Sequence, residues 1–309
     1  MRISFSALAL LFVFVAPSVG QEQAAPFRLA PYKDELFAYQ KILETGYDGA
    51  FLKVEYDRPR DLYARDVVDG EKVDPKYVSL DTDAVQGDLE LTIGGATIRY
   101  VGVGATAGSA KAIVVFVHGR GTDRFSGTND WIHGGNFNRI KNLMMLNGGV
   151  YLSPSFPDFE AKGADRVAAL VLHYAALSPG APVILACASW GGKICWRLVR
   201  DPDVGPLLTG LVFMDADTNE SFIETAKTLP PDERLPIHVS NSMGDKVIGW
   251  RSQQRFFRAI KDAAPNYPLR FTLFSAGTHG ISLRMTDWRL AINWILASRD
   301  GLPEEGTPQ

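Results

Sequence analysis

VILACASWGGK, residues 183–193, joins a run of apolar residues to the start of a predicted helix through a serine, Ser189, that has small residues on both sides. A strand that turns this sharply into a helix lifts the serine hydroxyl above the edge of a parallel sheet. A serine hydroxyl is a poor nucleophile by itself, so it needs a neighbouring base and backbone N–H groups that stabilise developing charge. The stretch therefore predicts a nucleophile elbow, with partner residues elsewhere in the chain.

The rest of the chain alternates apolar runs with stretches of helical spacing, which predicts repeated strand–helix units. Eight strands are predicted, an antiparallel hairpin followed by six parallel strands, at residues 89–93, 97–101, 112–117, 149–153, 183–186, 210–214, 237–240 and 270–274. Helices are predicted at residues 136–146, 164–176, 192–199, 219–228, 251–263 and 283–297. The fold class is therefore α/β, with a mostly parallel eight-stranded sheet and helices on both faces. Only about twenty residues separate Met214 from Ile237, so no large cap domain is expected.

Four segments are predicted along the chain. Residues 1–20 combine Arg2, an apolar run and small residues before Gln21, which is typical of a cleaved signal peptide and predicts a periplasmic or secreted protein. The apolar run is shorter than the roughly 20 residues of a spanning helix, so no stable membrane insertion is expected. Residues 21–86 are predicted to be an extension packed across the sheet edge, with a small separate domain as the alternative; a helix at 33–45 and a strand at 51–56 are expected there. Residues 87–300 form the main domain, and 301–309 a disordered tail.

Composition excludes some partners and leaves others open. The net charge is −3 without any block of like charges, which does not indicate nucleic-acid binding. No histidine or cysteine pair has metal-ligand spacing on one element, so no metal is expected. Cys187 and Cys195 are predicted to be buried free thiols, because one ends a strand and the other lies two turns into a helix. The sequence does not indicate an oligomeric state.

Candidates for the base and the acid follow later strands. His279 lies in the loop AGTHGI, residues 276–281, and Asp245 lies in the turn SNSMGDKV, residues 240–247. Serine, acid and histidine in this chain order, each after its own strand, predict a catalytic triad of Ser189, Asp245 and His279. Asp215 and Asp217, at the end of the preceding strand, are the alternative acids. The four other histidines precede the serine or fall inside elements or loops that fit the base poorly: His118, His133, His173 and His238.

The segment HGRGTD, residues 118–123, ends the third strand and predicts an oxyanion site. Its candidate donors are the backbone N–H groups of Arg120 and Trp190. Two substrate-binding residues are also predicted: Arg124, which would bind a carboxylate or phosphate if it points inward, and Trp250, as an aromatic wall.

With these motifs the chain resembles the α/β-hydrolase superfamily over residues 88–298, and is most similar to lidless carboxylesterases, phospholipases and acyl-thioesterases. The motifs are S-x-G-G at 189–192, a partial G-x-D-x-V turn at 244–247, and a glycine-rich histidine loop. The resemblance implies hydrolysis of an ester or thioester through an acyl-serine intermediate, without a cofactor, on a small-molecule or acylated substrate. A peptidase or amidase of the same fold and a catalytically silent envelope binding protein are the alternatives. The family usually has glycine two residues before the nucleophile, where this chain has Cys187, and this departure gives the silent alternative more weight than it would otherwise have.

Overall fold

The structure is a computed structural model that describes residues 26–301. The predicted signal peptide and nearly all of the predicted tail lie outside the described residues. Within them the strands are β1 (Ile42–Gly46), β2 (Phe51–Val54), β3 (Asp66–Val68), β4 (Lys72–Val73), β5 (Gln86–Ile93), β6 (Ala96–Gly104), β7 (Ile113–Val117), β8 (Val150–Pro154), β9 (Val183–Ala188), β10 (Leu208–Met214), β11 (Ile237–Ser242) and β12 (Leu269–Phe274). The α-helices are α1 (Asp34–Phe37), α2 (Asn136–Leu146), α3 (Ala161–Leu177), α4 (Gly191–Val199), α5 (Phe222–Thr228), α6 (Trp250–Ala263), α7 (Ile281–Met285) and α8 (Trp288–Asp300).

The main sheet has ten strands in the order β1-β2-β12-β11-β10-β9-β7-β8-β6-β5, rather than the predicted eight. Strands β7 to β12 run parallel to one another, while β5 and β6 are antiparallel. The α/β fold with a mostly parallel sheet is thereby confirmed. Between β10 and β11 the structure has only α5 and a single 3₁₀ turn, and no cap domain.

The two additional strands come from the segment predicted to pack across the sheet edge. Strand β2 pairs in parallel with β12, and β1 pairs antiparallel with β2. The helix predicted at 33–45 is wrong, because only Asp34–Phe37 is helical and β1 begins at Ile42. Tyr47 and Asp48 have φ angles of 52° and 54°, which form the tight turn between β1 and β2. Pairing with the sheet edge therefore overrides the local helical spacing.

Both faces of the central strands are buried. Along β9, Leu185 belongs to the apolar core under α3 and α4, whereas Ile184 belongs to the core under α2 and α8. Alternate side chains of a strand point to opposite faces, so helices cover both sides of the sheet. In the described part of the chain, no helix is long and apolar enough to cross a membrane.

Two buried arginines attach the segment from 56 to 85, which includes the β3–β4 hairpin, to the main domain. The Arg284 guanidinium donates to both carboxylate oxygens of Asp66, at 2.9 and 2.5 Å. Arg65 donates to the carbonyl of Gly134 and lies between the rings of Phe37 and Tyr77, 4.7 and 4.8 Å from their centroids. Burial lowers the pKa of Arg65 to about 10, so it keeps its charge at neutral pH. This attachment holds the hairpin beside the carboxyl ends of the parallel strands.

Candidate active site

Ser189 lies in a sharp turn between β9 and α4. Its φ angle is 48°, a left-handed conformation that costs a non-glycine residue free energy and that is enriched at active sites as well as in tight turns. The space around the turn requires glycine, because a Cβ on Gly119 would be 2.9 Å from the Ser189 Cβ, and one on Gly191 would be 2.3 Å from the Val117 carbonyl oxygen. The elbow is therefore closely packed against the end of β7.

The structure brings the three predicted triad residues into one hydrogen-bonded chain. His279 Nε2 is 3.0 Å from Ser189 Oγ, and His279 Nδ1 is 2.8 Å from Asp245 Oδ2. The other carboxylate oxygen of Asp245 accepts hydrogen bonds from the backbone N–H groups of Val247 and Ile248, at 2.7 and 3.0 Å. The hydrogen bond that His279 donates to Asp245 raises the pKa of His279 above its ordinary value, against the opposing effect of burial. This arrangement lets an imidazole accept the serine proton while a buried carboxylate stabilises the resulting charge.

Asp215, one of the two alternative acids, has a different set of contacts. It accepts hydrogen bonds from the backbone N–H groups of Gly280 and Ser282, at 2.8 and 3.1 Å, and from the Ser282 hydroxyl at 2.7 Å. Burial raises the pKa of its carboxyl to about 6. Asp215 thus holds the loop that carries His279, while Asp245 makes the direct hydrogen bond to the ring. No hydrogen bond joins Asp217, the other alternative, to His279 in the described residues.

Asp215, Asp245 and His279 are also the residues whose side chains could approach a metal ion, since one ligand atom of each lies within 4.8 Å of the others. Their oxygen and nitrogen atoms are engaged in the hydrogen bonds described above, so a metal would have to displace the contact between His279 and Asp245. The donor set fits a hydrogen-bonded dyad with a second carboxylate better than a metal centre.

The predicted oxyanion donors have free N–H groups. Within residues 26–301, neither the Arg120 nor the Trp190 backbone N–H donates a hydrogen bond to the protein. The Arg120 guanidinium covers the Trp190 ring at 4.8 Å, which keeps the two residues together. His118 Nδ1 is 2.9 Å from the Gly119 carbonyl oxygen, and its ring stacks on Phe156 at 4.1 Å. His118 therefore supports the loop that carries the Arg120 N–H.

Comparison with known proteins is consistent with this geometry. A model of the alpha/beta hydrolase family matches residues 114–305, which is more than half of the chain. This chain belongs to the alpha/beta hydrolase family. No curated protein sequence matches it.

Solved structures of hydrolases share the fold. This hydrolase is similar to a thermostable esterase, with a TM-score of 0.53 and 16% identity over 70% of this chain and 63% of the esterase. It is also similar to a candidate alpha/beta hydrolase of unknown function from Agrobacterium tumefaciens, with a TM-score of 0.52 and 15% identity over 71% of this chain and 100% of that protein. At these identities the likeness shows the fold alone.

Arg124 and Trp250, the predicted substrate-binding residues of the hydrolase, make their contacts with residues other than the triad. Arg124 forms a two-pronged ion pair with Asp88, at 2.7 and 2.8 Å, and its guanidinium stacks on Phe125. Trp250 begins α6, packs against the apolar core and stacks with Arg251. Their role in substrate binding stays a prediction that these contacts do not support.

The prediction that Cys187 and Cys195 are free thiols is wrong. The two residues form a disulfide, with their Cα atoms 6.5 Å apart. The elbow at Ser189 reverses the chain, so the second turn of α4 returns to the end of β9 and brings the two Cβ atoms together. Both residues lie in the core beneath α4, so the Cys187 side chain points away from the strained turn. The residue that stands in place of the usual glycine therefore fastens the elbow to its helix.

Removing this disulfide is expected to destabilise the protein without unfolding it. A disulfide between residues that are eight positions apart lowers the conformational entropy of the unfolded chain. This contributes about 2–3 kcal/mol to the free energy of unfolding. Urea denaturation of the double variant Cys187→Ala/Cys195→Ala measures this loss. The wild type should lose the same amount when reductant is added, whereas the variant should be insensitive to it. Two free thiols in the unreduced, unfolded wild type would contradict the assignment.

One feature of the site was missed at the sequence level: a groove of about 550 Å³ beside His279. Tyr56, Arg58 and Leu62 of the N-terminal segment line it together with His133 and the loop that carries His279. The hint in the sequence was the concentration of arginine and tyrosine at residues 56–65. The position of the groove depends on how the N-terminal segment packs against the main sheet.

Proposed function

We propose that this alpha/beta hydrolase is a serine hydrolase that cleaves carboxylic esters or thioesters through an acyl-serine intermediate. The observation that carries the proposal is the continuous hydrogen-bonded chain from Ser189 Oγ through His279 to the buried Asp245, at 3.0 and 2.8 Å. A lone serine in a tight turn has many structural explanations. A serine in a strained turn, hydrogen-bonded to an imidazole that a buried carboxylate orients, is typical of a nucleophile.

In the proposed reaction His279 Nε2 takes the proton from Ser189 Oγ as the oxygen attacks the carbonyl carbon. The N–H groups of Trp190 and Arg120 donate to the oxyanion that forms, and Asp245 stabilises the imidazolium. His279 then gives its proton to the leaving oxygen or sulfur, and the bond between the acyl carbon and that atom breaks. Water, deprotonated by His279, then attacks the acyl-serine. The bond between the acyl carbon and Ser189 Oγ breaks, His279 returns the proton to Oγ, and the carboxylic acid leaves.

The disulfide supports catalysis over the silent alternative. The substitution of Cys187 for glycine is accommodated because its side chain is bonded to Cys195 beneath α4. The elbow therefore has the strained geometry of a nucleophile despite the change of residue.

A fluorophosphonate probe tests the proposal, because it reacts with activated serines only. The folded wild type should be labelled at Ser189, as located by mass spectrometry, and Ser189→Ala should not be labelled. A panel of short and long acyl esters, thioesters and amides then separates an esterase from a peptidase or amidase. An unlabelled folded wild type that turns over no substrate in the panel would support the silent binding protein instead.

We propose export to the periplasm or secretion as the location. Disulfides persist in oxidising compartments, and the bridge between Cys187 and Cys195 supports such a location together with the predicted signal peptide. The measurement is the mass of the protein recovered from the periplasm and the medium: it should lack residues 1–20. Recovery of the full-length chain from the cytosol would contradict the proposal.

A further inference from the structure

The groove beside His279 is built jointly by the N-terminal segment and the main domain. Tyr56 and Leu62 of the N-terminal segment line it together with His279 and Ile281 of the main domain. His133 closes the groove near the loop of His279, since its Cε1 atom would lie 3.8 Å from a Cβ on Gly280. The volume, about 550 Å³, suits a small organic group.

Because His279 lines the groove, we can ask which part of the substrate the groove would hold. This step rests on the proposed function, in which His279 Nε2 gives a proton to the leaving atom. A general acid must lie within hydrogen-bond reach of the atom that it protonates. The leaving group therefore has to reach His279, and this groove is a space that can hold it.

Arg284 and His279 in the groove lining are paired with Asp66 and Asp245, whereas three other polar side chains of the lining have no hydrogen-bond or ion-pair partner among residues 26–301. The Arg58 side chain is exposed, stacks on the Tyr63 ring at 5.2 Å, and forms no ion pair within the described residues. The hydroxyl of the nearly buried Tyr56 and the ring of His133 also form no hydrogen bond within this part of the chain. Burial lowers the pKa of His133 to about 4, so at neutral pH its ring is uncharged and carries one N–H. Such donors are available to a ligand.

The lining of the groove offers these donors no carboxylate partner, and no ion pair joins Asp57 to the adjacent Arg58 within the described residues. None of the residues that line the groove is acidic. Two acidic residues of the same segment are already neutralised: Asp61 pairs with Arg60 at 2.7 Å, and Asp66 pairs with Arg284. A free arginine beside a tyrosine hydroxyl, with apolar walls from Leu62 and Ile281, has the composition of a site for an organic anion.

We propose that this groove binds the leaving group of the substrate, and that the leaving group carries an oxyanion, a carboxylate or a phosphate, which Arg58 binds. The substrate is then an acyl ester of an anionic alcohol or phenol. Water and this ester give the carboxylic acid and the free anionic alcohol. The acyl carbon–oxygen bond breaks, and the leaving oxygen takes its proton from His279.

Matched esters test the proposal. Methyl 4-acetoxybenzoate has a neutral leaving group, 4-acetoxybenzoate has the corresponding carboxylate, and 4-acetoxyphenyl phosphate has a phosphate. The ratio of kcat/KM for each anionic ester to that for the neutral ester should fall about five- to tenfold in Arg58→Gln, mainly through KM, because a charge-assisted hydrogen bond is lost. Arg58→Lys should recover part of the ratio. The ester with the larger fall identifies the preferred oxyanion.

Arg251→Gln is the matched control, because Arg251 is also exposed, stacks on an aromatic ring and lies outside the groove lining. It should leave the ratio unchanged, which excludes a general effect of net charge. The inference is overturned if Arg58→Gln changes both anionic ratios no more than Arg251→Gln does, while all three esters are hydrolysed. If the folded wild type is labelled by the fluorophosphonate probe at Ser189 but hydrolyses neither anionic ester, the inference is also overturned. Absence of both labelling and hydrolysis would instead overturn the proposed function.

Discussion

Ser189→Ala is expected to lower kcat by about 10⁶, and Asp245→Asn by about 10⁴, on any ester that the protein hydrolyses. The serine variant lacks the nucleophile. The asparagine variant keeps the shape of the side chain but loses the charge that stabilises the imidazolium, and its amide can orient His279 in the wrong tautomer. Steady-state hydrolysis of a nitrophenyl acetate, with the folded state checked by circular dichroism, measures both effects.

Asp215→Asn is the matched control for the assignment of the acid. Asp215 bonds to the loop of His279 and not to its ring, so this change should cost much less activity than Asp245→Asn. If the order of the two losses were reversed, Asp215 would be the catalytic acid.

The pH profile gives an independent readout of the same carboxylates. Activity needs neutral His279, whose pKa is raised chiefly by Asp245, so activity should fall as the pH decreases through a midpoint above 6.5. The negative charge of Asp215 also raises the pKa of His279. Asp215→Asn should therefore move the acid limb of kcat/KM to lower pH. An unchanged acid limb would show that the charge of Asp215 is screened too strongly to affect the pKa of His279.

Arg284→Met is expected to lower the free energy of unfolding by about 3–5 kcal/mol, because it leaves a buried carboxylate without its partner. Asp66 and Arg284 have side chains that are 1% and 5% exposed, so water cannot solvate the remaining charge. The pair fastens the β3–β4 hairpin to the main domain, and the groove beside His279 depends on it. Urea denaturation measures the loss.

Two further variants show whether the effect comes from the unpaired charge. The double variant Arg284→Met/Asp66→Leu removes both charges and should recover much of the stability. Arg99→Met breaks an exposed pair with Glu90, whose side chains are 64% and 56% exposed, and should cost less than about 1 kcal/mol. Equal losses in Arg284→Met and Arg99→Met would mean that the buried pair does not hold the segment.

Several features of the fold could be predicted because they depend on nearby residues. The helix at 136–146 has the predicted bounds, and each predicted parallel strand overlaps an observed one. A strand buried on both faces appears in the sequence as a short apolar run. Because the loops between strands and helices are short, the order of these elements can be followed along the chain. The predicted helix at 283–297 is instead two helices, α7 and α8, because Asp287 caps the second one and interrupts the first.

The candidate triad could be predicted for the same reason. The carboxyl ends of parallel strands meet at one edge of a sheet, so residues that follow β9, β11 and β12 lie close together. The sequence favoured Asp245 but left Asp215 as an alternative, since each follows its own strand and those strands are neighbours. In the structure Asp245 bonds to the His279 ring and Asp215 to the backbone of the His279 loop, a difference set by the turn after each strand.

By itself, the sequence determined the elbow, the order of strands and helices and the edge of the sheet at which the candidate site lies, because hydrophobic periodicity and short turns are local properties. Tertiary structure alone decided the disulfide, the edge strand β1 with the pairing of β2 to the main sheet, and the groove. Phe51 pairs with Phe271 across more than 200 residues, and Arg284 meets Asp66 across a similar separation. Contacts between residues so far apart depend on how complete elements pack, and no local pattern encodes which partners then meet.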